Sequence, residues 1–428
     1  MNILLVNPHS PQNAGDLAIL HSALARLTEA FPHAKLAYTM TDDRLSPWVP
    51  VGVPSIPSSM QWVTRRTADG GWRWRKFAAL GYVVWLLLIA GLYRITQWRW
   101  VPADPQRRQW MQAYYDADVI VGNGGGYLYA RNQANIAFLW LWLGMAMAVI
   151  MGKPLILFPQ SFGPLPGLLQ QSLLRWLVNR AQLVAAREFR SIEFLRAIHV
   201  QQSILLLPDL AFLTVESNRD EALHMFTQFG VPLNDGRPKI GMTLMDWGAQ
   251  NPNFTGQAGY EAGIIQLIKF VQEEYNAHVI LFAQCCGPTR DQDDRHISRR
   301  IADLMDLINP IYIVDASMPA SMLKAAYREL DALVATRMHA AIFSLAAQTP
   351  TLVIGYLHKS IGIMQSVGLG EYVTDIAAVN SDALCQQFAA LWDERGTIHQ
   401  ELLERIPSIH STLAHLPHLL RMALEGRA

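Results

Sequence analysis

Residues 331–356 read DALVATRMHAAIFSLAAQTPTLVIGY, and their punctuation sets the fold class. The spacing predicts a short buried strand over 332–336, then a loop carrying Arg337 and His339. An apolar helix over 340–347 and a Pro-led strand over 351–354 follow. In open α/β sheets the edge where strands end and helices begin is where ligands bind. Arg337 and His339 fall close to a helix N-terminus, which favours anions. Together they suit holding a phosphate or carboxylate and donating a proton. The competing reading pairs Arg337 with a surface carboxylate and makes His339 a satisfied capping histidine, and the stretch alone leaves both open.

The same alternation runs outward in both directions. Strand-like segments at 2–7, 35–39, 117–121, 154–158, 183–186 and 205–207 are separated by helical ones. Beyond residue 236 the pattern returns with strands at 239–244, 278–283 and 311–314. This predicts an α/β protein with two Rossmann-like domains facing across a cleft, each a parallel sheet with helices on both faces. The expected boundaries are 1–213 for the N-terminal domain, with an apolar, Trp-rich insertion near 60–100, and 237–380 for the C-terminal domain. A polar linker is expected over 214–236 and amphipathic C-terminal helices over 381–428. No short internal repeat is expected.

The 428 residues are enough for two full cores. With 51% apolar and 16% charged residues, the chain is not disordered, and zero formal net charge gives no field for nucleic acid. Cys285, Cys286 and Cys385 have neither metal nor redox spacing, which points to a reducing, cytoplasmic compartment. Residues 1–6 read as a strand rather than a signal peptide. The apolar run 78–93, flanked by Trp and Arg, is short for a membrane span. It reads either as a buried helix or as one lying on a membrane surface, which would place the protein at the inner face of the cytoplasmic membrane.

Further polar residues gather at predicted strand ends. Gly122, Gly124, Gly125 and Gly126 follow one strand, where a backbone without side chains lets a ligand approach or simply makes a tight turn. Asn13 and Asp16 follow the first strand, and Asp16 reads as a sugar ligand, a base or an N-terminal cap. Ser161, Arg187, Asp209 and Lys359 each end or follow another strand, and Glu188 is expected to pair with Arg190.

The ordered set resembles the polysaccharide pyruvyl transferase family. The matching pieces are Asn13-x-Gly-Asp16, Val121-Gly-Asn-Gly-Gly-Gly126-Tyr-Leu, Phe158-Pro-Gln-Ser-Phe-Gly-Pro164, Ala186-Arg-Glu188 with Ser191, Pro208-Asp-Leu-Ala-Phe212, Thr336-Arg-Met-His-Ala340 and Tyr356-x-x-Lys359. They cover residues 1 to about 370, leaving out the insertion. The resemblance implies a GT-B-like fold and transfer of a pyruvyl group from phosphoenolpyruvate to two hydroxyls of a sugar, free, polymeric or lipid-linked. Phosphoenolpyruvate would be a co-substrate, with no cofactor and no metal. Arg187 and Arg337 match the positions expected to grip it, and His339 the one expected to move protons. Lys359 would add charge for phosphate and Asp16 would orient the acceptor. Asn13, the glycines, Ser161 and Asp209 would complete the substrate contacts. Two other readings of the same architecture are a nucleotide-sugar glycosyltransferase and a non-catalytic scaffold.

Overall fold

The computed structural model describes the chain except for Asp43, Leu45, residues 68–71, Arg131, Ala134, Pro252, Pro288, residues 306–309, Leu357, residues 426–428, and the side chains of Arg66, Trp72, His358 and Lys359. The chain divides into two compact units. Unit 1 comprises Met1–Pro11, Ile19–Leu210 and Thr412–Ala428, and unit 2 comprises Gln12–Ala18 and Ala211–Ser411.

The main sheet of unit 1 contains β1 (Asn2–Val6), β2 (Lys35–Thr39) and β3 (Ser55–Ile56). A separate antiparallel hairpin, β4 (Thr64–Arg66) and β5 (Trp72–Trp74), comes next in the chain. The sheet resumes with β6 (Val119–Gly122), β7 (Gly125–Leu128), β8 (Leu155–Phe162), β9 (Leu183–Ala186) and β10 (Leu205–Leu206). Its order is β10-β9-β8-β6-β1-β2-β3, with β7 on β8, and the pairs are parallel. Strands such as β6 and β9 are buried along their whole length. That burial explains their continuous apolar sequence, since helices cover both faces of a parallel sheet.

Unit 2 repeats the plan with β11 (Lys239–Thr243), β12 (His278–Phe282), β13 (Ile311–Val314), β14 (Ala332–Ala335), β15 (Thr351–Gly355) and β16 (Val373–Asp375). The order is β13-β12-β11-β14-β15-β16, again parallel. In each sheet the chain builds outward on one side of its first strand and then crosses to the other. The switch falls between β1 and β6 in unit 1 and between β11 and β14 in unit 2. Carboxyl ends of strands at such a switch diverge and leave room for a ligand.

Three further segments complete the fold. The expected linker holds a helix, Arg219–Gln228, packed on the helix Ala320–Arg328. Arg219 donates Nε and Nη2 to both carboxylate oxygens of Glu329 at 2.8 and 2.9 Å. The tail is a 34-residue helix, Ser381–Ala414, followed by Leu416–Glu425. The Trp-rich insertion is largely ordered as core. Trp62 meets Trp110 edge-on at 5.2 Å, and Trp110 lies 4.2 Å from Tyr114. Lys76–Thr96 (α2; α1 is Ala14–Ala30) packs on the apolar helix Ile136–Met151. Its inward side chains are Ala79, Val83, Leu86, Ile89, Ala90 and Tyr93, spaced at helical periods on one face.

Candidate active site

In unit 2 the strand β14 ends at its switch point, so Thr336 and Arg337 emerge beside the end of β11. Thr336 N donates to Thr243 O at 3.1 Å and Arg337 N to Thr243 Oγ1 at 3.3 Å. The helix begins earlier than the apolar pattern suggested, at Met338. Arg337 is therefore the residue that caps it, and His339 stands in its first turn rather than in the loop.

Arg337 is not a surface residue. Its Nε donates to Asp294 Oδ1 at 3.0 Å and Oδ2 at 3.2 Å, and its Nη2 to Oδ1 at 2.5 Å. Nη2 also reaches Gln292 O at 3.3 Å. Burial raises the Asp294 carboxyl above the usual range, although Arg337 pulls it down. Burial alone would lower Arg337, but Asp294 more than offsets this, so the guanidinium stays charged.

The loop after β12 joins this pair to the first turn of α1. Cys285 N donates to Asp294 Oδ2 at 2.9 Å. Cys286 N donates to Gln12 O at 2.9 Å, and Ala14 N donates to Gln284 O at 3.3 Å. Residues 12–18 thus belong to unit 2 although the sequence reading gave them to the N-terminal domain. Asn13 is the residue that satisfies the helix start, its Oδ1 accepting Gly15 N at 2.9 Å. Asp16 is a first-turn acid and not the cap. The His339 side chain packs against Gly15. A Cβ there would stand 2.1 Å from His339 Nδ1 and 2.6 Å from its Cβ. Glycine at 15 is what lets the imidazole reach the residue before Asp16.

Unit 1 holds a second strand-end arginine. Arg187 follows β9 with a fully buried side chain, its Nη1 2.5 Å from Asp209 Oδ2 and its Nε 2.8 Å from Ser161 Oγ. Glu188 does not pair with Arg190 as expected. It accepts from Ser161 Oγ at 2.9 Å and from Ser191 Oγ, and lies 3.8 Å from Arg187 Nε. Ser161 and Asp209 thus serve to fix Arg187. One donor, Arg187 Nη2, is buried without a hydrogen-bond partner. The same holds for Asn123 Oδ1 and for both amide atoms of Gln160. Asn123 follows β6 and Gln160 lies within β8. Neither residue was singled out from sequence, because an amide inside an apolar motif carries no charge to mark it.

The glycine run is explained within the protein. A Cβ at Gly124 would stand 2.6 Å from Pro159 O, so the backbone that approaches closely there is that of β8. Gly125 adopts φ of 143°, open only to glycine. The side chain of Lys359 lies outside the described residues.

A family model described as polysaccharide pyruvyl transferase matches residues 13–358. The chain belongs to the polysaccharide pyruvyl transferase family. Members are transferases of polysaccharide assembly, and the match spans both units. The amylovoran biosynthesis protein AmsJ of Erwinia amylovora is 21% identical over 262 residues, 60% of this chain and 63% of that protein, less than two thirds of its length.

Solved structures show the fold. UDP-GlcNAc 2-epimerase from Neisseria meningitidis superposes with a TM-score of 0.56 at 8% identity, covering 100% of both chains. A glycosyltransferase from Rickettsia africae gives 0.55 at 11% identity, covering 99% of this chain and 98% of that one. Anabaena HepE, in complex with UDP and glucose, gives 0.51 at 14% identity over 97% and 98%. The architecture is GT-B-like, with parallel sheets flanked by helices.

Proposed function

We propose that the chain transfers the pyruvyl group of phosphoenolpyruvate to two hydroxyls of one sugar in a polysaccharide or its lipid-linked precursor, forming a cyclic ketal and releasing phosphate. The observation that carries this reading is the placement of His339 in a helix first turn at the unit 2 switch point, against Gly15 and one residue from Asp16, beside an arginine whose charge is fixed.

The chemistry fits these groups. His339 gives a proton to the methylene carbon of the enol while a sugar hydroxyl adds to the neighbouring carbon. A second hydroxyl then displaces phosphate. One hydroxyl proton ends on the new methyl group and the other on phosphate, so His339 returns to its starting state. Imidazole suits this because it holds and releases a proton near neutral pH. Asp16 orients the acceptor. Arg337, steadied by Asp294, offers its remaining donors to the phosphate or carboxylate.

Calorimetric titration with phosphoenolpyruvate tests the reading. Saturable binding is expected, retained in His339→Ala and weakened at least about tenfold in Arg337→Lys, which keeps the charge but loses the planar fork. Unchanged binding in Arg337→Lys removes Arg337 from the assignment. Binding of UDP or GDP in place of phosphoenolpyruvate makes the chain a nucleotide-sugar transferase.

A further inference from the structure

Helix α2 is apolar on all sides, but the protein covers only one of them. Opposite the buried face run Phe77, Leu80, Val84, Leu88, Leu92 and Ile95, spaced three or four residues apart along a single stripe. Phe77 is 94% exposed, Leu88 68% and Ile95 83%. Only 33% of the most apolar 18-residue window is buried. A soluble helix that rests on a core normally turns charged residues outward, and a continuous outward stripe of this size marks an interaction surface.

The charges around the stripe say what it meets. Between Asp69 and Asp104 there is no acidic residue, while Arg73, Arg75 and Lys76 precede the stripe and Arg94 and Arg99 close it. Lys76, Arg73, Arg75 and Arg94 are exposed. Trp98, 55% exposed, sits at the same end as Arg94. Cations at both ends of an apolar face, with an exposed tryptophan at one, are the pattern of a helix lying in the plane of an anionic bilayer, with its apolar side sunk among the acyl chains. The alternative of crossing the bilayer is closed by packing. Leu86 and Ala90 are fully buried in the unit 1 core, and a spanning helix would have to withdraw them.

We infer that α2 is a monotopic anchor that docks this protein on anionic lipid through Phe77, Leu80, Val84, Leu88, Leu92 and Ile95. This is independent of the reaction proposed above, because vesicle binding is read without substrate.

The test is co-sedimentation of the full chain with vesicles of phosphatidylcholine alone and of phosphatidylcholine with phosphatidylglycerol in equal parts. Binding is expected to the mixed vesicles and to weaken with salt. Val84→Glu with Leu88→Glu should lower the partition coefficient by at least about tenfold without moving Tm. Leu168→Glu with Leu169→Glu alters two exposed leucines away from α2 and should leave binding unchanged. Because a double charge on α2 risks the fold, Arg73→Gln, Arg75→Gln and Lys76→Gln together form a second arm, expected to weaken binding to mixed vesicles and reduce its salt dependence. Failure of the wild type to pellet, or pelleting of both variants to the wild-type level, overturns the inference. A wild-type dimer that Val84→Glu with Leu88→Glu dissociates, with no vesicle binding, overturns it in favour of self-association.

Discussion

Leu183-Val-Ala-Ala-Arg-Glu-Phe189 and Leu333-Val-Ala-Thr-Arg-Met-His339 are nearly the same sentence written twice. Each is a buried parallel strand, an arginine at its end, and a helix starting within two residues. Each arginine is held by a buried aspartate, Asp209 or Asp294. The places differ. β14 borders the switch point of its sheet, whereas β9 lies three strands from β1. The element in unit 1 that topologically matches β14 is β6, followed by the glycine run. The short repeat, where none was expected, is therefore a reused strand-to-helix turn and not a trace of duplicated domains. Only the copy at a switch point is followed by histidine. At the corresponding position the other has Phe189, 56% exposed.

The comparison breaks most sharply at those last residues. If proton transfer is the work of the β14 copy, His339→Ala should lower turnover by about 10²–10⁴-fold with Tm unchanged. Phe189→Ala, a change in the same turn of the other copy, should leave turnover within about threefold, as expected for exposed positions. Phosphate release from phosphoenolpyruvate in the presence of acceptor measures both. Comparable losses in the two variants would end the distinction.

The aspartates test the shared part. Asp209→Ala and Asp294→Ala each strand a buried guanidinium, and removal of one partner from such a pair costs about 3–5 kcal/mol. Asp209→Ala should be the worse, since the Arg187 side chain is fully buried while Arg337 keeps 11% exposure through which water can reach it. Urea unfolding orders the two, and the reverse order would mean that Ser161 and Glu188 compensate for Asp209.

Much of this was readable in advance. The alternation of apolar runs with helical segments was enough for two parallel sheets, and Arg187, Arg337 and His339 stood out at strand ends. What the sequence hid were partners. Asp294 lies 43 residues before Arg337, and nothing in its local sequence ties it to that strand end. Gly15 has no side chain to mark it, and its reason is an imidazole from position 339. Residues 12–18 follow β1 in the chain yet pack with unit 2, a choice made by backbone hydrogen bonds to Gln284 and Cys286 that no side-chain pattern reports. The α2 stripe was visible as apolar sequence, but only the packing separates its inward half from its outward half.

Gly15 itself sharpens the comparison further. Gly15→Ala forces a methyl group into the His339 ring, and overpacking of this kind costs about 1–3 kcal/mol. Turnover should fall with it, because the ring that must move is the proton donor. Gly91→Ala, in α2 with open space around it, should be neutral or slightly stabilising. Equal thermal shifts for the two would show that His339 yields freely.

The smallest effect reads the seat of residues 12–18 through a cysteine outside the chemistry. The Cys286 backbone holds Gln12, and burial pushes its thiol up from 9.0 to about 11. The sign is that of a retained proton: between those values the folded chain keeps a proton that the unfolded chain has lost, so stability falls as pH rises through the window. Only the thiolate reacts with iodoacetamide, so at pH 9 the folded protein should label at Cys286 about fiftyfold more slowly than the urea-unfolded chain. Gly15→Ala should raise that rate if it lifts residues 12–18 from the loop after β12. A rate that the substitution leaves unchanged would mean the first turn of α1 stays seated and the ring alone gives way, which would make Gly15 a positioning residue for His339 and not a structural clamp for unit 2.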